Sequence, residues 1–425
     1  MPRLLYTLLL YLLLPLAPLK LLWRGRRQRE YLQHWHERFA VYRAKRAAPA
    51  KPVIWLHCVS VGETRAAAPL VKELQARYPG HQILLTHATP TGRAAGEQLF
   101  GGEVQRVYLP YDLPSAANRF LRHFQPVIGL LMETELWFNL IAACAQQGIP
   151  LLLVNARLSQ RSANGYAKVA QLTAQGLRKL TAIAAQTEQD AARLRSLGAR
   201  QVAVLGNLKF DVKPPADALQ QGLALRAQWG KARPVFLAAS TREGEEALIL
   251  DAIAKVQIPE LLTVIVPRHP QRFEEVAELL HRRGLRYVRK SQLERGRMAQ
   301  PPVDIVLGDS MGEMFTYYAA CDIAFIGGSL LPFGGQNLIE ACALGKPVLI
   351  GSHTFNFAEA ADQAVAAEAA LRVDDAEALA LALQRLLGDE DTLHNMSAAA
   401  LAFSNSATGA TQRIAELVSA YLKKP

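Results

Sequence analysis

From Val53 onward the chain repeats one rhythm, a short apolar run followed by an amphipathic stretch. Val53–Val59, Gln82–Thr86, Gln105–Leu109, Val127–Met132, Pro150–Val154, Ala182–Gln186 and Gln201–Leu205 have the length and composition of strands. Helical patterns such as Glu63–Tyr78 and Leu136–Gln147 lie between most of them. Val53–Val59 shows almost no polar alternation, as a strand covered on both faces requires. A parallel connection needs a crossover, and helices supply it, so the alternation predicts a parallel, doubly wound sheet.

The rhythm stops at Lys213-Pro214-Pro215-Ala216-Asp217, where paired prolines suit a linker. It restarts with Val235–Ala239, Leu262–Val266, Arg286–Arg289, Asp304–Leu307, Ile323–Ile326, Pro347–Ile350 and Ala370–Val373, and from Asp375 the chain reads as helices rich in Ala and Leu. The expected organisation is α/β: a Rossmann-like domain over 52–212, a linker over 213–217 and a second Rossmann-like domain over 218–425. Two such halves would face a central cleft at the carboxyl ends of their strands, where open α/β sheets bind ligands. This is the architecture of the GT-B glycosyltransferases.

Leu4–Leu19 is apolar without a charge, short of the roughly 20 residues needed to span a bilayer, and holds Pro15 and Pro18. Residues 1–23 are read as a single signal-anchor helix, with a helix lying in one leaflet as the alternative. A secretory leader fits poorly, because the positive charge follows the apolar run and no small-residue cleavage site appears. Residues 24–51 form a basic juxtamembrane segment: Lys20 to Arg46 carry a net +7 of the chain's +11. A basic excess beside an apolar segment points to anionic lipid before nucleic acid. Cys58, Cys144, Cys321 and Cys342 lie far apart in or beside apolar runs, which suits a reduced compartment and no metal-ligand set.

Several motifs sit where strands end. In Ile323–Glu340 a buried strand is followed by two glycine pairs and then by Asn337-Leu338-Ile339-Glu340, read as the start of a helix. Glycines there let backbone N–H groups approach an anion, and Glu340, about one turn into the helix, could accept both hydrogen bonds of a ribose diol. That reads as a nucleotide-sugar site; a tight connection without a ligand is the alternative. Ser60-Val61-Gly62-Glu63 follows the first strand. Ser-x-x-Glu is a capping box and recurs at Ser240–Glu243 and Ser310–Glu313. At the carboxyl end of a sheet, however, Glu63 could also remove a proton from an acceptor hydroxyl. Glu133 and Glu135 could be first-turn dipole partners or stand beside Glu63 and raise its pKa. Lys209, Arg93 and Arg268 are surface cations or anion ligands. Asp309-Ser310-Met311-Gly312-Glu313 opens a helix whose amides suit a phosphate or a base edge. No Walker A loop occurs and no His/Cys/Asp cluster has metal-ligand spacing, so metal-free transfer with no cofactor is expected.

Together, the apolar N-terminus, Ser60–Glu63, Met132–Trp137, Gly206–Asp211, Pro267–Pro270, Met311–Glu313, Gly327–Ser329 with Asn337–Glu340, and Gly351–Phe357 resemble the 3-deoxy-D-manno-octulosonic acid (Kdo) transferases. The motifs cover nearly the whole chain in family order. The resemblance implies a membrane-associated GT-B enzyme of the Gram-negative inner membrane, with its catalytic domains on the cytoplasmic face. It would transfer Kdo from CMP-Kdo to a lipid A precursor in lipopolysaccharide synthesis. By the family pattern Glu63 is the general base, and Glu133 and Lys209 assist the transition state. Pro267, Arg268, Met311, Gly312, Glu313, Asn337, Leu338, Ile339 and Glu340 match CMP-binding segments, and Arg93 is a further candidate for substrate binding. The first domain would then take the acceptor and the second the CMP-sugar. Trp137-Phe138-Asn139 stands where Trp-Pro-Asn is expected, which removes no functional group. Two alternatives remain open: a membrane-associated GT-B transferase using another nucleotide sugar, and a membrane-tethered binding protein without catalysis.

Overall fold

The computed structural model describes residues 2–42, 51–211, 214–293 and 303–422. Arg43, Lys45 and Arg46 of the basic segment and Lys213 of the expected linker lie outside the described residues. The chain forms two compact units, Met1–Asp211 with Thr408–Pro425, and Val212–Ala407.

The first unit holds β1 (Val53–His57), β2 (Gln82–His87), β3 (Gln105–Tyr108), β4 (Pro126–Met132), β5 (Leu151–Ala156), β6 (Ala182–Ala185) and β7 (Val202–Val204). Their order is β3-β2-β1-β4-β5-β6-β7, and each neighbouring pair is parallel. All five residues of β1 are buried, because helices cover both faces of the sheet. Trp55, Phe120 and Phe124 pack on one face; Ile54, Leu56, Leu70 and Leu74 pack on the other. Gly129 of β4 makes room for the Trp55 indole, where a Cβ would lie 2.6 Å from the ring.

The second unit holds β8 (Val235–Thr241), β9 (Leu262–Pro267), β10 (Tyr287–Arg289), β11 (Ile305–Leu307), β12 (Ile323–Ile326), β13 (Val348–Ile350) and β14 (Ala370–Arg372). This sheet is also parallel, in the order β10-β11-β9-β8-β12-β13-β14. Its carboxyl edge gathers the loops that begin at Arg242, Arg268, Gly308, Gly327 and Gly351. Backbones run so close there that a Cβ on Gly327 would overlap the Ser240 carbonyl, and one on Gly351 the Ser329 carbonyl.

Four local expectations differ from the structure. The last helix, Ala410–Tyr421, belongs to the first unit, where Ile414, Ala415 and Val418 join the core beside the Val61–Arg77 helix. Its apolar stripe is plain in the sequence, but a stripe does not say which sheet it covers. Residues 1–23 do not form one helix. Arg3–Leu13 and Leu16–Arg27 meet at a 54° bend around Pro15. Among the described residues no single helix is long and apolar enough to cross a membrane, although the bent pair passes by length and composition. Pro18 leaves the second helix intact because it sits in the first turn, where no N–H is needed. Of the three Ser-x-x-Glu patterns, only Ser60 caps a helix. Ser240 lies in β8, and the helix after Ser310 starts at Met314. Finally, the helix expected from Asn337 is the four-residue Ile339–Cys342, with Glu340 in its first turn.

Gly351→Ala should lower the melting temperature by about 5 °C, because the new methyl meets backbone that cannot give way. Differential scanning fluorimetry measures this directly.

Candidate active site

The carboxyl end of β1 runs straight into the Val61–Arg77 helix, and Glu63 sits in its first turn. The Glu63 N–H donates to Ser60 Oγ at 3.4 Å. Its carboxylate accepts from Val59 N–H at 2.8 Å and from the Ser60 hydroxyl at 3.0 Å. The side chain is therefore both a cap and a fixed, buried carboxyl, 8% exposed. Burial pushes its pKa up to about 7; Glu133 adds to this, while the Val59 and Ser60 donors and Lys209 oppose it. Glu135 also rises to about 7, through burial first and the charge of Glu63 second.

Glu133 follows β4 with a left-handed φ of 56°, rare for a residue with a side chain and typical of strained functional positions. Its N–H is fixed by Val154 O at 3.0 Å, and its Oε1 lies 3.5 Å from Lys209 Nζ. Lys209 is set by neighbours that sequence reasoning missed. Asn155, buried at the end of β5 with φ 53°, accepts the Leu208 N–H at 2.9 Å. Asn207 Oδ1 accepts the Lys209 N–H at 3.0 Å. Asp211 accepts from the N–H groups of Gly409 and Thr411, so the returning C-terminal helix braces the same loop. An Asn closing the otherwise apolar run Leu151–Val154 was the available signal. Glu63, Glu133 and Lys209 are thus brought together. Arg93 has a different partner: its guanidinium meets buried Glu37 at 2.7 Å, and Glu37 also takes the Tyr108 N–H at 2.8 Å. That makes Arg93 a clasp on the segment preceding the sheet.

In the second unit Arg268 extends from the end of β9, and its Nε donates to Gln336 Oε1 at 3.1 Å. Pro267 is buried in the strand. Asn337 Nδ2 donates to Glu340 Oε1 at 3.1 Å, and Asn337 Oδ1 accepts the Ile339 N–H at 3.1 Å. Leu338 and Ile339 are fully buried, so their side chains serve the core and form the turn that presents Asn337 and Glu340. Glu313 accepts from buried Lys290 at 2.8 Å and from the Ser310 hydroxyl. Met311 is exposed, and Gly312 has φ 84° with open space around it.

The glycine loop itself departs from expectation. Glu245, fully buried, accepts the N–H groups of Gly328 at 2.6 Å, Leu330 at 3.0 Å and Arg242 at 2.8 Å. An internal carboxylate thus holds these amides. Burial raises the Glu245 pKa, and the backbone donors oppose the rise. The spacing Arg242-Glu243-Gly244-Glu245 does not reveal this contact, because it joins positions more than 80 residues apart.

The family description "3-Deoxy-D-manno-octulosonic-acid transferase (kdotransferase)" matches residues 33–212, and "Glycosyl transferases group 1" matches residues 241–403. The 3-deoxy-D-manno-octulosonic acid transferase of Bordetella pertussis is 47% identical over 424 residues, covering 96% of this chain and 97% of that protein. That of Haemophilus influenzae is 38% identical over 399 residues, covering 93% and 92%. Among solved structures, the UDP-GlcNAc 2-epimerase of Neisseria meningitidis aligns with a TM-score of 0.57 at 19% identity, over 87% of this chain and 99% of that one. A glycosyltransferase from Rickettsia africae aligns with a TM-score of 0.57 at 15% identity, over 88% and 100%. Those two likenesses concern the fold alone. Two parallel Rossmann-like sheets and the matched family descriptions define a GT-B glycosyltransferase. At this identity and coverage, the chain belongs to the 3-deoxy-D-manno-octulosonic acid transferase family.

A carboxyl whose pKa is raised on folding stabilises the fold fully below its unfolded value near 4.5, and that contribution is lost as pH rises toward 7. Glu63→Gln, neutral throughout, should therefore gain stability over the wild type at pH 8 relative to pH 5. The gain should reach up to about 3 kcal/mol, read from denaturant melts at the two pH values.

Proposed function

We propose that this enzyme transfers Kdo from CMP-Kdo to a lipid A precursor, lipid IVA, in lipopolysaccharide core biosynthesis, without a metal. The observation that carries the mechanism is the Glu63 carboxyl, fixed by two donors and poised at about 7. A base with a pKa near the working pH combines availability with proton affinity. Glu63 takes the proton of an acceptor sugar hydroxyl as its oxygen bonds to the anomeric carbon of Kdo. The bond from that carbon to the phosphate oxygen breaks, and CMP leaves with the electron pair. Lys209, set against Glu133, supplies a cation to the anionic sugar.

The donor carries one phosphate and one carboxylate. Arg268, oriented by Gln336, suits an anionic group, and Glu340, oriented by Asn337, suits ribose hydroxyls. Pro267, Met311, Gly312 and Glu313 complete the nucleotide segments in this reading.

The N-terminal helices support a seat on the cytoplasmic face of the inner membrane. Leu4, Leu8, Leu12, Leu16, Leu19 and Trp23 are all exposed, beside Lys20, Arg24, Arg26 and Arg27. Apolar side chains beside a basic cluster suit insertion into an anionic leaflet, at about 1 kcal/mol per basic residue near the surface.

Glu63→Gln should lower kcat by roughly 10²–10⁴-fold while leaving CMP binding intact, as read by mass spectrometry of product and by calorimetry. In the wild type, kcat/KM should fall as pH drops below about 7, because protonated Glu63 cannot accept the hydroxyl proton. CMP, and not UDP, should raise the melting temperature; stabilisation by UDP alone would exclude this donor.

A further inference from the structure

The first helix is fastened to the protein by polar bonds that a simple tether would not need. The Tyr6 hydroxyl donates to Asp112 Oδ2 at 2.8 Å, and the Thr7 hydroxyl lies 2.9 Å from Asn139 Oδ1 and 2.9 Å from the Arg3 carbonyl, its one proton shared between the two acceptors. The Tyr6 ring packs edge-on against Phe138, with centroids 5.3 Å apart. The other face of the helix carries the exposed Leu4, Leu8 and Leu12.

The receiving side is the start of the Phe138–Gln146 helix, which has no side-chain cap from its own N-cap residue, Trp137. Asp112 takes that role from a distant loop. It is 4% exposed and accepts the N–H groups of Asn139 at 3.0 Å and Leu140 at 2.8 Å. Asn139 Nδ2 donates back to Asp112 O at 2.7 Å, which turns its Oδ1 toward Thr7. This helix begins directly after Glu133-Thr134-Glu135-Leu136-Trp137. The strained Glu133 backbone is therefore held from one end by β4 and β5, and from the other by a helix start that Asp112 and the first helix secure.

We infer that the Arg3–Leu13 helix is a positioning element of the catalytic loop, acting through Tyr6, Thr7, Asp112 and Asn139 on the segment that carries Glu133 and Glu135. Seating its leucine face in lipid then steadies the same helix that holds the loop, so membrane contact and catalytic geometry are linked. The inference rests on the proposed role of the Glu63–Glu133–Lys209 group.

The test uses the full-length enzyme with lipid acceptor dispersed in detergent, where no bilayer is needed to bring the two together. Tyr6→Phe keeps the ring on Phe138 and removes only the hydroxyl; Tyr6→Phe with Thr7→Val removes both polar bonds. The single variant should lower kcat roughly fivefold and the double variant more, with KM for CMP-Kdo unchanged. Co-sedimentation with phosphatidylethanolamine–phosphatidylglycerol vesicles should stay at the wild-type level, because the leucine face is intact. Wild-type kcat in the double variant would overturn the inference, as would a fall in kcat matched by lost vesicle binding, which marks a tether only. Glu63→Gln assayed alongside separates the two claims: if it stays active, the catalytic reading fails; if it is inactive while the double variant is not, only this inference fails.

Discussion

A carboxylate that accepts the amide of the residue four positions before it is ordinarily a helix cap, yet in this chain the same contact fixes a buried carboxyl whose pKa lies at about 7, the base of the proposed reaction. The Val59 N–H and the Ser60 hydroxyl lower the proton affinity of Glu63, whereas burial and Glu133 raise it. Burial prevails, and the outcome lies near neutrality. Neither force alone would place it there: full burial without donors would push the pKa higher, and an exposed cap would hold its proton more weakly. The remaining parts of the first unit serve this balance. β4 delivers Glu133 in a left-handed turn, β5 delivers Asn155, and Asn155 fixes the loop that brings Lys209 against Glu133.

Polar side chains in loops and at element ends fix much of the backbone. Glu37, Asp112, Asn155 and Glu245, all buried, and half-buried Asp211 each accept backbone N–H groups from segments far away in the chain. Such contacts are strong because the acceptors are charged or shielded from water. They let short loops, among them those that carry Glu133 and Lys209, hold one shape without regular secondary structure.

The period of the apolar runs made both sheets legible among the described residues: the inner strands are apolar throughout because both faces are covered, and the outer strands β3, β7 and β10, only partly buried, follow from the repeat of the rhythm. Motifs at strand ends pointed to Glu63, Glu133 and Lys209 for the same topological reason. What stayed hidden depends on long-range pairing. Nothing local in Ala410–Tyr421 says that it covers the first sheet, and nothing near Arg93 says that Glu37 will claim it. Leu338 and Ile339 read as part of a ligand motif, and their side chains are fully buried in the core, which the spacing of the motif does not reveal. The bend at Pro15 was signalled by the two prolines, although only one of them produced it.

Glu245 has a consequence for how this protein meets its donor. A phosphate-cradling turn commonly stays loose until the anion arrives, so that order is supplied from outside. Here the chain brings its own anion: Glu245 occupies the Gly328 and Leu330 amides of the turn, together with the Arg242 amide. Recognition is then left to side chains around a pre-set frame. Altered donor preference would have to arise by exchanging those side chains, since reshaping the frame would strand a buried negative charge.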